Sequence, residues 1–348
     1  MKVGVITDTH FGVYKGSSVF LESSLKFFRN FLIPELKKRN INTIFHCGDM
    51  FDNRSSLDIK VINEVLKLFR EDLKEFNVYI VVGNHDSVFK NTIEVNSVEV
   101  LRGYENVKVI SEPTVFGNVG FVPWVVDKSN FERFINENKP EIVVGHFEIF
   151  GGKFLGTVDK NKDHIHPDFF DGKTKLVLSG HYHTRSEIKT PNCSIHYIGN
   201  CYHLDRGDEG EQRGMCILDT ESFELEFVDD YAALKYIKLV YPQSYTQELI
   251  EGNIINVHVD ISKEGYNEKD FGEYVSGIES FNPSIPPYVR IERTNFEEVA
   301  PIDISGTGST IDILFEYVNQ LNLENNLKEK IQEKAEKIYK KIKKEDIK

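Results

Sequence analysis

At 348 residues and 40.1 kDa, the chain has room for two domains, or for one large domain with appendages. With 40 % apolar and 28 % charged residues it is not a wholly disordered polymer, and a net charge of −13 excludes nucleic-acid binding through overall basicity, leaving a local basic patch, bound cations or a partner. The four cysteines, Cys47, Cys193, Cys201 and Cys216, form no CxxC pair and no disulfide framework. The apolar run at Met1–Ile6 is too short for a signal peptide, and no segment approaches about 18 uninterrupted apolar residues, so the chain reads as intracellular, soluble and without a membrane span.

Short, nearly continuous Val- and Ile-rich runs punctuate the first 190 residues at Val3–Ile6, Ile44–Phe45, Val78–Val82, Ile142–Val144 and Leu176–Leu178. Such runs predict strands buried on both faces. Leu21–Leu36 and Ile59–Phe69 place apolar residues three and four apart, which predicts amphipathic helices covering the strands. From Cys193 to Val228 the texture becomes alternating, as in Ser194–Ile198 and Glu224–Val228, and predicts antiparallel strands. A second unit follows at about 235–300, with strands at Tyr236–Tyr241 and Ile254–Val259, a helix at Glu268–Ser280 and a strand near Val289. Ser305–Ser309 reads as a linker. Beyond it, Ile311, Leu314, Phe315, Val318 and Leu321 share one helix face, and Leu327, Ile331, Ala335, Ile338 and Ile342 share another. Spacing alone leaves open whether these helices pack on the body or dock another chain.

Each of the five apolar runs is followed by a polar cluster. These are Asp8-Thr9-His10, Gly48-Asp49, Gly83-Asn84-His85-Asp86, Gly145-His146 and Gly180-His181-Tyr182-His183. The pairs Asp8/His10 and His181/His183 stand at i and i+2, the same side of an extended segment. Carboxylates, imidazoles and one amide suit Mn²⁺, Fe²⁺ or Zn²⁺ better than a thiolate-preferring metal. Seven ligands are too many for one ion and about right for two with a shared carboxylate. Any one cluster alone is a weak signal; all five in order, each after a strand, are a strong one.

The order D-x-H, GD-x-x-D, GNHD, GH and GH-x-H resembles the calcineurin-like metallophosphoesterase superfamily over residues 1–230. The resemblance implies an α/β fold, a four-layer α-β-β-α sandwich, here with a small α+β cap and C-terminal helices. Domain boundaries of 1–232 for the two-metal phosphoesterase, 233–303 for the cap and 304–348 for the linker and helical tail follow. One metal would be held by Asp8, His10, Asp49 and His183, the other by Asp49, Asn84, His146 and His181, with Asp49 bridging. Two cations roughly 3.5–4 Å apart lower the pKa of a bridging water and neutralise phosphate oxygens. His85 is the candidate general acid, and the Asp52 carboxylate is expected to hydrogen-bond its imidazole.

Protein phosphatases of the superfamily carry an arginine directly after the second aspartate and end GNH with Glu. Here Asn53 follows Asp52, Arg54 comes one residue late, and Asp86 ends the motif. Gly48–Asp52 and Val122-Pro123-Trp124 instead resemble the DNA-repair exonuclease branch, the SbcD-like proteins. Tyr197–Asn200, Gly207-Asp208-Glu209, Arg213-Gly214 and Leu218–Glu221 are most similar to the recombination endonuclease subunits of T4-like phages. This implies a Mn²⁺-dependent nuclease (Mg²⁺, Fe²⁺ or Zn²⁺ being the other options) with 3′→5′ exonuclease activity on duplex DNA and single-strand endonuclease activity. It further implies a homodimer in the cytoplasm, the host's if phage-encoded, acting in double-strand-break processing, recombination or phage replication. An SMC-like ABC ATPase would dock on helices at 310–345. The tail from Gly308 holds 9 Lys and no Arg against 8 acidic residues, so the negative excess lies in the body, and DNA affinity is expected to need that partner. The rival readings are a generic two-metal phosphodiesterase or nucleotide phosphatase, and a non-enzymatic scaffold with a structural metal site.

Arg54, Lys90, Arg185 and His203 are weaker candidates for substrate contact. His164 and His166 read as loop residues, His46 as a buried, hydrogen-bonded histidine, His196 and His258 as solvent-facing strand positions, Cys193 and Cys201 as packing residues, and Trp124 as a core or wall residue.

Overall fold

The computed structural model describes residues 1–154, 157–292, 311, 314–315, 318–319 and 328–336. Among these residues, the five predicted strands form at Lys2–Ile6, Thr43–His46, Asn77–Val81, Ile142–His146 and Leu176–Gly180. They divide between two six-stranded sheets. In the first, Lys2–Ile6, Thr43–His46, Asn77–Val81 and Val107–Ile110 run parallel, with Gly214–Asp219 antiparallel beside Lys2–Ile6 and Leu225–Asp229 antiparallel beside Gly214–Asp219 at the edge. In the second, Val119–Val122, Ile142–His146, Leu176–Gly180 and Ser194–Tyr197 run parallel, with antiparallel edges at Thr114–Phe116 and Ser186–Lys189. Ser194–Tyr197 therefore departs from the antiparallel expectation on one side, because it also pairs with the end of the parallel set.

The apolar runs are continuous because each strand feeds two cores. Val3, Val5 and Phe45 of the first sheet join Ile142, Val144, Leu176 and Leu178 of the second in one buried cluster. The alternate residues Ile44 and Ile80 turn to a cluster with Leu21, Leu25, Phe28, Leu32 and Leu36. Those side chains, on the helical segments Ser18–Lys26, Phe27–Leu32 and Ile33–Lys38, keep the predicted three- and four-residue spacing. The helix Ile59–Lys67 adds Val61 and Val65 and is capped by Asp58, whose Oδ1 accepts from Lys60 N at 2.8 Å and Val61 N at 3.2 Å. On the second sheet, Val143 and Val177 pack with Phe131 and Ile135 of the Lys128–Asn138 helix.

The chain divides into two compact units, Met1–His258 with Lys269–Arg290, and Val259–Glu268 with Ile291–Lys348. Within the first, Tyr236–Val240 pairs parallel with Ile254–Asp260, and Leu239, Ile250, Ile255, Val257 and Ile278 form a small separate core. His203 joins this part to the rest of the unit: it is 3 % exposed, donates from Nε2 to Glu211 O at 2.9 Å and accepts at Nδ1 from Tyr236 N at 3.1 Å. It is a buried tie between these parts, a role that the sequence does not reveal. In the second unit, Gln332 Nε2 donates to Asn319 Oδ1 at 2.9 Å, and Val318 is buried. The Ser305–Ser309 linker and Leu321, Leu327, Ile338 and Ile342 lie outside the described residues.

Candidate metal centre

All seven ligand candidates sit just past, or at, the C-terminal ends of strands. Asp8 and His10 follow Lys2–Ile6, Asp49 follows Thr43–His46, Asn84 follows Asn77–Val81, His146 ends Ile142–His146, and His181 and His183 follow Leu176–Gly180. Both sheets thus deliver ligands to one place. The local backbone is not extended as i, i+2 spacing suggested: Asp8, His10, Asp49 and His181 have φ of 49°, 41°, 55° and 85°. Left-handed backbone costs a non-glycine residue roughly 1–2 kcal/mol, least for short polar side chains, and it folds these turns tightly enough for the side chains to converge. Gly48, at φ 105°, accommodates the same crowding, since a Cβ there would stand 2.5 Å from His146 Nδ1.

The candidate ligand atoms form two adjacent groups, Asp8/His10/His183 and Asp49/His146/His181, each within 4.8 Å, and His10 also groups with Asp52 and His85. Asp49 belongs to both sides: its Oδ2 lies 3.8 Å from His10 Nε2 and 3.2 Å from His146 Nε2. His10 Nε2 and His183 Nε2 each stand 3.9 Å from Asp8 Oδ1. Donors bound to one cation at about 2.0–2.2 Å stand roughly 3–4 Å from each other, so this spacing suits divalent ions.

The protonation pattern makes the same point. His146 donates from Nδ1 to the Cys47 carbonyl at 2.8 Å, so in its neutral form Nε2 carries a lone pair. That nitrogen faces Asn84 Oδ1 at 3.0 Å, and His181 Nδ1 faces the same oxygen at 2.9 Å. His146 Nε2, His181 Nδ1, Asn84 Oδ1 and Asp49 Oδ2 thus converge on one place, as the ligands of a cation do. On the other side, both ring nitrogens of His10 are buried without a hydrogen-bond partner, although Asp52 Oδ1 lies 3.3 Å from Nδ1. A buried imidazole among three carboxylates, with no well-formed hydrogen bond, fits a metal ligand. The residues fit a pair of divalent metal ions.

Electrostatics follow from the crowding. Burial opposes the charge on His146, yet Asp49 and Asp8 lift its pKa to about 9. Burial likewise opposes the charge on Asp49, while His146, His10 and His85 hold its carboxyl well below the usual range. Burial drives His46 down to about 4, leaving it neutral; its Nε2 meets Thr9 Oγ1 at 3.0 Å, in keeping with a structural histidine.

His85 sits beside the first group, its ring centroid 4.8 Å from that of His10, and its amide donates to Asp49 Oδ1 at 2.7 Å. The expected carboxylate partner is corrected here. His85 Nδ1 donates to the main-chain carbonyl of Asp52 at 2.8 Å, while the Asp52 carboxylate turns toward His10. The cause is a backbone anchor, Asp52 N to Phe11 O at 3.1 Å, which presents the carbonyl to His85.

Two acidic residues of this region were given no role by the sequence reading. Asp86, fully buried, accepts from Gly83 N at 2.9 Å, Phe51 N at 2.9 Å and Met50 N at 3.3 Å, stapling the GNHD loop to the loop after Asp49. Glu148 lies 3.3 Å from His181 Nε2. An acidic residue that ends GNH, or that stands two places after Gly145-His146, was the available signal. Trp124 is half-buried and walls the second group, 5.1 Å from His181 and 5.9 Å from His146 between ring centroids. Of the weaker substrate candidates, Arg185 is committed to Asp229 and stacks on Phe227, whereas Arg54 is half-buried and Lys90 exposed. All four cysteines are free and buried. Among the described residues, no helix is long and apolar enough to cross a membrane.

Comparison with known proteins agrees with this geometry. The calcineurin-like phosphoesterase family matches residues 1–185. The chain is 29 % identical over 314 residues to exonuclease subunit 1 of Enterobacteria phage T4, covering 83 % of this chain and 89 % of that protein. It is 24 % identical over 350 residues to the DNA double-strand break repair protein Mre11 of Sulfurisphaera tokodaii, covering 90 % and 87 %. It is also 24 % identical over 313 residues to one of the subunits of the nuclease SbcCD of Staphylococcus epidermidis, covering 79 % and 77 %. With a family match over more than half its length and a donor set suited to divalent ions, the chain belongs to the calcineurin-like phosphoesterase family and is a phosphodiester hydrolase.

Proposed function

We propose that the chain is the nuclease subunit of a DNA-processing complex, a 3′→5′ exonuclease on duplex ends and an endonuclease on single strands. The observation that carries the reading is the convergence of ligands from both sheets beside His85, in a chain whose relatives, matched over most of their length, are named as an exonuclease subunit, a break-repair protein and a nuclease subunit. Asp8, His10, Asp49 and His183 would hold one ion and Asp49, Asn84, His146 and His181 the other, Mn²⁺ being the proposed metal. When bound, the ions supply charge neutralisation at the phosphate and an activated water.

His85 supplies the proton that the departing sugar oxygen needs. Its Nδ1 is occupied by the Asp52 carbonyl, so Nε2 is the nitrogen that delivers it. No arginine stands directly after Asp52 to clamp a phosphate monoester, which favours a diester substrate. The proposed organisation is a phosphoesterase domain at 1–232, a DNA-recognition cap at 233–303 and an ATPase-binding tail at 304–348, working as a homodimer with a coiled-coil ABC ATPase. The net charge of −13 supports the need for that partner in gripping DNA.

The test is degradation of end-labelled linear duplex DNA with Mn²⁺, compared with Mg²⁺ and EDTA. Stepwise, Mn²⁺-dependent shortening is expected, the label giving the polarity. Hydrolysis of small phosphodiesters without DNA cleavage, even with the ATPase added, would instead identify a generic phosphodiesterase.

A further inference from the structure

Glu148 lies two residues beyond His146, on the segment leaving the Ile142–His146 strand. Its Oε1 is 3.3 Å from His181 Nε2 and its Oε2 is 3.5 Å from His164 Nε2. His164 continues outward: its Nδ1 lies 2.5 Å from Asp159 Oδ2, and the same oxygen accepts from the Tyr182 hydroxyl at 2.8 Å. Tyr182 is the chain neighbour of His181. The contacts therefore close a ring, from His181 through Glu148, His164, Asp159 and Tyr182 back to His181 by one peptide bond. His164, which reads from the sequence as a bland loop residue, is part of this ring.

The ring is anchored on both sides. Ile165 N donates to the Glu148 carbonyl at 3.0 Å, so the loop carrying His164 is tied to the segment carrying Glu148. His181 Nδ1 projects the other way, to Asn84 Oδ1 at 2.9 Å, where the His146 and Asp49 donors also converge.

We propose that Glu148 is the positioning residue of His181: it accepts the Nε2 proton, fixes the tautomer that leaves a lone pair on Nδ1, and aims that nitrogen at the second cation position. The main-chain bond from Ile165 N, with the His164 ring packed against the carboxylate, holds Glu148 in place. The physical basis is general. A ligating imidazole is oriented by the acceptor on its other nitrogen, and loss of such an acceptor lowers metal affinity about 10–100-fold. Glu148 is matched to this task because it is only half-buried and touches no other member of the donor set, so its removal disturbs one ligand rather than the centre as a whole. The inference rests on the metal reading given under Proposed function.

The experiment is calorimetric titration of Mn²⁺ into the chelator-treated full chain without DNA, on the wild type, Glu148→Ala, Glu148→Gln and His164→Ala, with the unfolding midpoint of each metal-free protein measured alongside. In Glu148→Ala, one of two ions is expected to bind about 10–100-fold more weakly while the other is unchanged. Glu148→Gln keeps an acceptor oxygen and is expected within about three-fold of wild type; His164→Ala is expected between Glu148→Gln and Glu148→Ala. A Glu148→Ala protein that binds both ions as wild type does, with only its metal-free midpoint lowered, overturns the proposal in favour of a merely structural clamp. Equal losses in Glu148→Gln and Glu148→Ala overturn the tautomer account. A wild type that takes up no divalent ion overturns the metal reading itself, and is told apart by occurring before any substitution is made.

Discussion

Asp52 meets His85 through its main-chain carbonyl, 2.8 Å from Nδ1, and not through its carboxylate. The ring orientation of the proposed general acid is thereby independent of the Asp52 side chain. His85→Asn is expected to lower turnover of a simple phosphodiester by at least about 100-fold while metal uptake stays intact. Asp52→Ala is expected to stay well above that rate. A steady-state comparison of the two variants checks both, and a His85→Asn enzyme near wild-type rate would remove His85 from the role.

Gly83 has no room for a side chain, because a Cβ would collide with the Asp49 carboxylate and amide. Gly83→Ala is therefore expected to displace Asp49, the residue proposed to bridge the two ions. Metal stoichiometry, measured by elemental analysis after dialysis against Mn²⁺, should fall below that of wild type, and turnover should fall with it.

Asp86 accepts three backbone amides from two loops, and burial with the nearby Asp49 charge raises its pKa to about 6. Removing the carboxylate leaves those buried donors unpaired. Asp86→Ala is expected to cost at least about 2 kcal/mol of stability, read from urea unfolding. A loss under half that would mean water replaces the carboxylate.

Asp208 is buried, which opposes its charge, but Arg213, at 2.6 Å, and the Leu204 amide, at 2.7 Å, hold its pKa below the ordinary carboxylate value. Its folded value is thus lower than its unfolded one. The contribution to stability is complete above the unfolded value, about 4, and is lost as pH falls through the folded one. Asp208→Asn is expected to be less stable than wild type near neutrality and to show a flatter decline below about pH 4. Unfolding midpoints across that range test it.

The metal constellation was legible because its residues stand next to the strand-forming runs. Val3–Ile6 announces a buried strand, and Asp8 and His10 follow within four residues. What lay beyond reading depends on backbone direction or on contacts distant in the chain. The left-handed turns at Asp8 and His10 replace an extended geometry that spacing alone favours. The Asp52 carbonyl outcompetes its carboxylate because Phe11 anchors the main chain. The strands Val107–Ile110 and Val119–Val122 went unpredicted, since no polar cluster of recognised chemistry marks their ends. The motif residues Asn200, Asp208 and Arg213 were noticed only as a resemblance; the structure shows one buried network, with Asn200 Nδ2 donating to Asp208 Oδ2 at 2.9 Å.

Asp8, Asp49 and Asn84 hang from one sheet, and His146, His181 and His183 from the other. An ion shared among them is then a rivet across the seam of the two sheets. The sheets meet at this end through charged side chains and at the far end through apolar packing and the hydrogen bond from Asn118 Nδ2 to Thr220 O at 2.9 Å. Metal uptake is therefore expected to stiffen the two sheets against each other at this end.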